Sequence, residues 1–309
     1  MPFNQFRGCS HSSCLDASLS LAHDIQTARQ KELVSSFLTV DIKGFFNHVD
    51  HDHLIEVLEN KGFPPNIVHW VKSFLQDRFV RVQVDNYVRN PHPQMVGVPQ
   101  GSPISPVLAC IYSSTVLKHL NKNPIFDETG DDPIPVGPRA YVDDIGFLAS
   151  SFDLETNVFT LKKTLETTAD ILSRIRMSID PDKCDLMYFS WHRGTLITTC
   201  DGSPSLHTKL YSNHITITPP ASIRWLGFHL DRCLTFNNYV ELLSKKGFTI
   251  VNRLKVLGNT IEGISPANLQ LLYKTVVIPA ITYGSQLWYN PVKPNRKLVR
   301  KLDMFSTRP

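Results

Sequence analysis

Two adjacent aspartates, Asp143 and Asp144, separate two apolar runs of the sequence. The first run ends in Ala-Tyr-Val at residues 140–142, and the second is Ile-Gly-Phe-Leu at residues 145–148. Such runs predict two buried strands, with the acids at the tight turn between them. Neighbouring carboxylates repel each other, and a bound cation would relieve that repulsion. The alternative is an ordinary exposed Asp-Asp turn, and these residues by themselves do not distinguish the two.

A second acid, Asp41, ends another strand pattern. Residues 36–42 read Ser-Phe-Leu-Thr-Val-Asp-Ile and lead into Lys-Gly-Phe-Phe at residues 43–46. A third segment, residues 97–106, reads Gly-Val-Pro-Gln-Gly-Ser-Pro-Ile-Ser-Pro, which predicts a loop that opens onto a helix. If the strands that carry Asp41 and the Asp-Asp pair are neighbours in one sheet, three carboxylates meet at one site.

A strand-ending Asp, then Pro-Gln-Gly-Ser-Pro, then Tyr-x-Asp-Asp resembles the palm motifs of reverse transcriptases. The wording Asp-Ile-Lys-Gly-x-Phe, Gly-Val-Pro-Gln-Gly-Ser-Pro-x-Ser-Pro and Tyr-Val-Asp-Asp is most similar to non-LTR (LINE-type) retrotransposons. Tyr-x-Asp-Asp alone is a weak signal, whereas the three motifs in this order are specific. The resemblance extends over residues 4–290.

This resemblance implies an RNA-directed DNA polymerase that binds an RNA template and a DNA primer and adds dNTPs to the primer 3′-hydroxyl. Such phosphoryl transfer typically uses two metal ions about 3.5–4 Å apart. Mg²⁺ prefers a few hard carboxylate ligands, and Mn²⁺ is an alternative. By resemblance, Asp41 and Asp143 bind metal and Asp144 completes the site. Lys183 would be the general acid for the pyrophosphate leaving group.

The resemblance also implies residues that contact the substrates. Those expected to contact the incoming nucleotide or the template are Phe46, Gln100, Gly101, Ser102, Pro103 and Tyr141. Phe46, five residues after Asp41, would lie beneath the sugar and exclude a 2′-hydroxyl by steric clash. Its neighbour Phe45 stands where related elements often have a small residue, and the alternative is that both rings belong to the core.

A later aromatic segment, Trp225, Leu226 and Gly227, resembles the primer grip, a hairpin that holds the primer end. Plain core packing of Trp225 is the alternative. The helical periodicity of the sequence beyond residue 232 predicts a thumb. Its basic residues could line the duplex backbone, namely Lys245, Lys246, Arg253 and Lys255.

The expected fold class is α+β: a right-hand polymerase palm with an antiparallel sheet backed by helices, partial fingers and an all-helical thumb. We expect fingers and palm over residues 1–231, and the thumb and the start of a connection region over 232–309. Local patterns predict helices at 15–29, 105–120, 154–173 and 240–257, and a valine-rich strand at 79–85. They also predict a helix starting at Pro64-Pro65 with one apolar face, formed by Ile67, Trp70, Val71 and Phe74.

The front of the chain matches the LINE finger motif poorly. Only five positions agree (Gln5, Phe6, Ser13, Asp16 and Ala17), and the two arginines of the motif fall on Cys9 and Ser12. An earlier finger segment that grips the triphosphate, the endonuclease, a downstream RNase H and a zinc knuckle are also missing. We therefore expect a fragment of a longer polyprotein. The rival hypothesis is a non-catalytic RNA-binding remnant of a retroelement, and an intron-encoded maturase is a third.

The amino-acid composition indicates the class of protein and the compartment in which it is expected. The 309 residues are 42% hydrophobic and 19% charged, which is typical of a globular protein. The sequence has no membrane span and no signal peptide, and its six cysteines form no C-x-x-C pair. We expect an intracellular protein, nuclear when part of a full element. Two metal clusters are weaker alternatives: Cys9, His11 and Cys14 for zinc, and His48, His51 and His53, for which a polar turn before a capped helix is favoured.

Overall fold

The computed structural model of the chain describes residues 4–7, 12–122, 136–189, 204–211, 213–258 and 263–303. The helices are α1 (Cys14–Gln30), α2 (Phe45–His48), α3 (His51–Asn60), α4 (Pro65–Leu75), α5 (Ser105–Lys122), α6 (Leu154–Arg174), α7 (Asn237–Gly258), α8 (Pro266–Leu272), α9 (Ile278–Thr282), α10 (Ser285–Trp288) and α11 (Arg296–Asp303). The strands are β1 (Val34–Asp41), β2 (Phe79–Val80), β3 (Gln83–Val84), β4 (Tyr87–Val88), β5 (His92–Pro93), β6 (Gly137–Tyr141), β7 (Asp144–Ser151), β8 (Asp185–Phe189), β9 (Leu206–Leu210), β10 (Asn213–Ile217), β11 (Ser222–Trp225) and β12 (Phe228–Asp231).

An antiparallel sheet of four strands, in the order β6-β7-β1-β8, forms the centre of the protein. The strand that ends in Asp41 lies beside the strand that begins with Asp144, and β8 flanks it on the other side. This sheet, backed by helices, confirms the predicted palm architecture.

Side chains alternate between the two faces of the sheet along each strand, and both faces are buried. On β1, Leu38 and Val40 belong to one hydrophobic cluster, which includes residues of α5 and α6. Phe37 belongs to a second cluster on the opposite face, together with Leu21 and Ile25 of α1. The second cluster also contains residues of the β11–β12 hairpin and of α7. Helices and the hairpin thus hold the sheet in place from both sides.

Helix starts follow the local capping signals. Ser13 and Asp16 form a capping box at the start of α1, and Asp50 accepts a hydrogen bond from the His53 amide, 2.9 Å away, at the start of α3. The predicted helices near 15–29, 105–120, 154–173 and 240–257 are present as α1, α5, α6 and α7. Their boundaries differ by a few residues, which is usual for helix ends.

One sequence-based prediction in this region was wrong, and a second, the helix that starts at Pro64-Pro65, is present as α4 but buries only part of its predicted apolar face. Residues 79–85 do not form one strand; β2 and β3 have two exposed residues each and pair with β5 and β4. Helix α4 buries Val68, Val71 and Leu75, whereas Trp70 is 51% exposed and stacks on Phe74. Alternation and periodicity predict which residues share a face, but not which face meets the core.

Beyond Asp231, at the end of β12, the described chain is helical. The Asp231 carboxylate accepts hydrogen bonds from the amides of Thr235 and Phe236, which turns the chain towards α7. A π-helical turn, Tyr273–Val277, joins α8 to α9, and α11 packs against α7. The predicted all-helical thumb is therefore present. None of the helices within the described ranges is long and apolar enough to cross a membrane.

Candidate active site

The Asp143-Asp144 pair lies in the β6–β7 hairpin. Tyr141 pairs with Asp144, so Val142 and Asp143 form a two-residue turn. Val142 has a φ of 66°, in the left-handed region that a β-branched residue rarely adopts. A positive φ at the first turn residue suits the twist of a tight hairpin, and the buried Val142 side chain holds it there. Packing of Val142 therefore maintains a strained turn that places the two acids together. The backbone strain costs about 1–3 kcal/mol.

Asp41 and Asp144 stand directly opposite each other across β1 and β7. On the other side of β1, Thr39 pairs with Asp185 of β8. Directly opposed residues in antiparallel strands share one face of the sheet, as do residues two apart on the same strand. Asp41, Asp144 and Asp185 therefore lie on one face, and it is the face that packs against the β11–β12 hairpin.

Burial and neighbouring negative charge disfavour the ionised forms of Asp143 and Asp144. Burial raises the pKa of Asp144 to about 6, and the charges of Asp143 and Asp41 add to the rise. Burial also raises the pKa of Asp143, with the Asp41 charge contributing. Only a cation nearby would make three ionised groups favourable here.

Lys183 places such a cation against Asp41. It ends a 3₁₀ turn, Pro181–Lys183, that leads into β8. Its Nζ lies 2.9 Å from Asp41 Oδ2 and 3.5 Å from Asp180 Oδ2. The hydrogen bond to Asp41 raises the pKa of Lys183, so the ammonium keeps its proton while this contact lasts.

A cleft of about 450 Å³ opens above this face of the sheet. Seven predicted site residues line it: Asp41, Tyr141, Asp144, Lys183, Trp225, Leu226 and Gly227. Six lining residues were not predicted: Cys14, Thr39, Val40, Ile145, Asp185 and Arg224. Thr39 and Asp185 could have been found from strand alternation once the strand order was known. Cys14 and Arg224 carry no local signal.

The Trp225-Leu226-Gly227 segment is the tip of the β11–β12 hairpin. Leu226 and Gly227 form its turn with φ values of 49° and 85°. Trp225 is 3% exposed, and its ring packs edge-on against Phe37 of β1 at 5.1 Å between centroids. The indole therefore contributes to the core as well as to the cleft wall.

Tyr141 forms part of the cleft rim, where its hydroxyl is held in place. Arg7 Nη1 donates a hydrogen bond to the Tyr141 hydroxyl at 2.8 Å, and the guanidinium lies 5.5 Å from the ring centroid. The segment around Arg7 is fixed because the Phe6 amide donates to the Ala140 carbonyl of β6. The front segment, which matches the LINE finger motif poorly, thus reaches the cleft rim through Arg7, to which the sequence assigned no role.

The other predicted substrate contacts lie beside the cleft, not among its lining residues. Phe45 is buried in the core at 2% exposed, whereas Phe46 is only partly buried. The amide of Val98 donates to the Phe46 carbonyl at 2.7 Å, which ties the Pro-Gln-Gly-Ser-Pro loop to α2. In that loop Gln100, Gly101 and Pro103 are exposed and Ser102 is partly exposed.

The chemistry of the acidic cluster fits a hard divalent cation. Carboxylate oxygens are hard ligands, and burial together with neighbouring carboxylate charge raises the pKa values of Asp143 and Asp144. Within the described residues, no three His, Cys, Asp or Glu side chains are grouped so as to hold a metal by themselves.

The two weaker hypotheses for a metal site concern the histidines near α3 and the zinc set near the start of the chain. His48 contacts the Gly44 carbonyl, His51 contacts the Gly97 carbonyl, and His53 contacts Glu56, so these rings serve local structure around the capped helix. Two members of the proposed zinc set, Cys9 and His11, lie outside the described residues.

Comparisons with known proteins agree with this architecture. The profile of the family described as reverse transcriptase (RNA-dependent DNA polymerase) matches residues 1–230. The chain is 28% identical over 275 residues to the RNA-directed DNA polymerase from mobile element jockey of Drosophila melanogaster, covering 89% of this chain and 28% of that protein. It is 25% identical to the probable RNA-directed DNA polymerase from transposon BS of the same species, covering 96% of this chain and 31% of that protein.

Among solved structures, apo telomerase from Candida tropicalis matches with a TM-score of 0.49 and 12% identity over 94% of this chain and 48% of that chain. The chain spans less than a third of the length of the two Drosophila relatives. The family profile covers most of the 309 residues, including all three acids. The chain therefore belongs to the reverse transcriptase (RNA-dependent DNA polymerase) family, and the resemblance to non-LTR retrotransposons is confirmed.

Proposed function

We propose that this chain is the polymerising core of a non-LTR retrotransposon and adds dNTPs to the 3′-hydroxyl of a DNA primer on an RNA template. The observation that carries the proposal is the register of the central sheet. It sets Asp41 opposite Asp144 in a cleft walled by the β11–β12 hairpin, and Asp143 lies in the adjoining turn. Such a cleft can hold a primer end and a triphosphate against carboxylates.

Asp41, Asp143 and Asp144 would hold two Mg²⁺ ions, or Mn²⁺ in their place. Bound there, such ions would activate the attacking hydroxyl and neutralise the developing phosphate charge. The residues of the chain then have separate tasks. The strained Val142 turn fixes the direction of Asp143, and the β1–β7 pairing fixes Asp41 against Asp144.

Lys183 is the proposed general acid that protonates the pyrophosphate as it leaves. Its hydrogen bond to Asp41 keeps the ammonium charged and at the edge of the cleft until substrate arrives. An ammonium whose pKa is raised donates a proton less readily, so this role requires that the influence of Asp41 be reduced in the loaded site.

Substrate contacts extend the proposal outwards. Phe46 would support the sugar of the incoming nucleotide, while the loop at Gln100, Gly101, Ser102 and Pro103 would contact the nucleotide and template. Tyr141 would bound the nucleotide site, and Trp225, Leu226 and Gly227 would hold the primer end. Basic thumb residues on α7 would follow the duplex backbone, namely Lys245, Lys246, Arg253 and Lys255.

The division into fingers and palm over residues 1–231 and thumb over 232–309 is part of the same proposal, as is nuclear action within a full element. The relatives that the chain matches are much longer proteins. We propose that the front fingers and the endonuclease belong to such a longer polyprotein.

The rival from another class is a retroelement remnant that binds RNA but does not polymerise. The three retained acids favour the enzyme, and the poorly matching front segment favours the remnant. An exposed basic thumb surface is expected under both hypotheses, so binding of RNA alone does not separate them.

The test is the Asp143→Ala variant, assayed for Mg²⁺-dependent extension of a DNA primer on an RNA template. Loss of a metal-binding carboxylate should reduce the rate by at least about 100-fold while template binding is retained. Asp182→Ala is the matched control, because Asp182 is an exposed acid next to Lys183 that does not line the cleft. Equal rates for Asp143→Ala and the parent would refute the site. A parent that binds template and extends nothing would favour the remnant.

A further inference from the structure

The primer-grip hairpin is packed against a side chain of the thumb that nothing in the motif pattern identifies. Tyr283 follows α9, and its ring stacks on Phe228, the first residue of β12. The two ring planes are 4° apart and their centroids are 5.0 Å apart. Phe228 directly follows Gly227 at the hairpin tip, so the contact acts at the turn that lines the cleft.

The backbone around Tyr283 is shaped for this contact. Gly284 has a φ of 65°, and a Cβ atom there would lie 2.3 Å from Phe228 Cε1. Only glycine therefore permits both the left-handed conformation and the close approach of the Phe228 ring. The Tyr283 carbonyl accepts a hydrogen bond from the Tyr239 hydroxyl of α7 at 3.0 Å, which anchors the segment to the thumb.

The hairpin is thus held from two sides. On the palm side, Trp225 packs edge-on against Phe37, and a Cβ on Gly146 would overlap the Phe37 ring, so β7 also approaches closely. On the thumb side, Tyr283 covers Phe228. Between these two aromatic contacts lies the Leu226-Gly227 turn, both of whose residues have positive φ.

The Tyr283 hydroxyl also reaches the cleft wall. It lies 3.2 Å from the Sγ of Cys14, which lines the cleft at the start of α1. The ring therefore bridges three parts of the molecule: the thumb through its backbone, the hairpin through stacking, and the α1 wall through its hydroxyl. Burial raises the pKa of Tyr283 to about 12, so the hydroxyl remains protonated at neutral pH.

We propose that Tyr283 is a positioning residue for the primer 3′ end, which it holds indirectly by clamping the β11–β12 hairpin between thumb and palm. This inference rests on the proposed function. It adds that the thumb sets primer affinity through the hairpin, in addition to any contact of its own with the duplex. A movement of the thumb would then be transmitted to the primer end through one aromatic stack.

The test compares Tyr283→Ala, Tyr283→Phe and Gly284→Ala in steady-state primer extension. Tyr283 is 42% exposed, so its truncation should leave the protein folded. Loss of the stack should raise the KM for primer–template about 5-fold and leave the KM for dNTP within about 2-fold. Tyr283→Phe keeps the ring and should remain near the parent. Gly284→Ala places a methyl group against Phe228 and should behave like Tyr283→Ala.

Two matched controls accompany these variants. Tyr289→Ala removes an equally exposed tyrosine that stacks on no hairpin residue in the described part of the chain. Gly62→Ala introduces a side chain at a φ of 74° where no atom lies within 4 Å, so it carries the backbone strain of Gly284→Ala without the clash. Both controls should leave the primer KM unchanged.

Hydrogen–deuterium exchange of the amides in residues 222–231 gives a readout that does not depend on polymerase activity. Tyr283→Ala and Gly284→Ala should accelerate exchange there, and added primer–template should slow it less than in the parent. If the parent extends no primer, the proposed function fails, and the exchange with and without primer–template still decides the clamp. Faster exchange with unchanged primer affinity would overturn the inference, as would unchanged exchange, or a rise in the dNTP KM equal to that for primer.

Discussion

Replacement of Asp144 by asparagine should stabilise the protein in the absence of divalent cations, although it should damage catalysis. Burial and the neighbouring charges of Asp143 and Asp41 raise the pKa of Asp144 from its ordinary 3.8 to about 6. At 1.36 kcal/mol per pH unit, this corresponds to about 3 kcal/mol of cost for the ionised form. Asp144 is partly exposed, and solvent screening reduces the value to about 1–2 kcal/mol.

The sign of the pH dependence follows from the direction of the shift. An acid whose pKa is raised by folding carries no penalty below about pH 4, because it is protonated in both the folded and the unfolded state. The penalty grows as the pH rises from about 4 to about 6 and is complete above that. Asp144→Asn removes it, so the variant should be more stable than the parent at pH 8, and the two should converge near pH 4.

The assay is urea denaturation of parent and variant in EDTA, between pH 4.5 and 8, repeated with Mg²⁺. At pH 8 without cation we expect a gain of about 1–2 kcal/mol for Asp144→Asn. Added Mg²⁺ should stabilise the parent more than the variant, because the cation relieves the same repulsion. Asp182→Asn, an exposed acid nearby, is the control and should change little. A variant less stable than the parent at pH 8, or a difference independent of pH, would refute the reasoning.

Two further substitutions test neighbouring parts of the site. Phe46→Ala should raise the kcat/KM for rNTP relative to that for dNTP on one primed template. Phe45 is buried, so Phe45→Ala should mainly lower stability. An unchanged kcat/KM ratio in Phe46→Ala would show that Phe46 does not select the sugar. Gly97→Ala should lower the free energy of unfolding by about 2–4 kcal/mol, because its Cβ would lie 2.8 Å from the Asn47 carbonyl oxygen at a φ of 87°. Gly101 has a φ of 93° and no atom within 4 Å of a Cβ placed there, so Gly101→Ala should lower the free energy of unfolding only by the backbone strain, about 1–2 kcal/mol. If urea denaturation shows equal losses for Gly97→Ala and Gly101→Ala, the clash at Gly97 is contradicted.

Much of the fold could be predicted from the sequence because its signals are local. Alternating and periodic apolar residues identified β1, α1, α5, α6 and α7, and capping residues such as Asp50 marked where helices begin. The order of the acidic and Pro/Gly-rich motifs identified the family. The hairpin position of the Asp143-Asp144 pair also followed from the apolar runs beside it.

Other features depended on contacts between distant residues, which no local pattern contains. The outward orientation of Trp70 and the division of residues 79–85 into short exposed strands depend on where the core lies, not on periodicity. Cys14 and Tyr283, 269 positions apart, meet only because the thumb folds back onto the palm.

For the site, the sequence by itself determined which acids the chain offers and that two of them share a turn. Tertiary structure decided that Asp41 faces Asp144 through the β1–β7 register and that Asp185 and Arg224 join the same cleft. It also decided that Tyr283 stacks on Phe228 of the β11–β12 hairpin. The physical reason is that strand order and helix docking are set by the packing of whole faces, and that packing is a property of the folded chain.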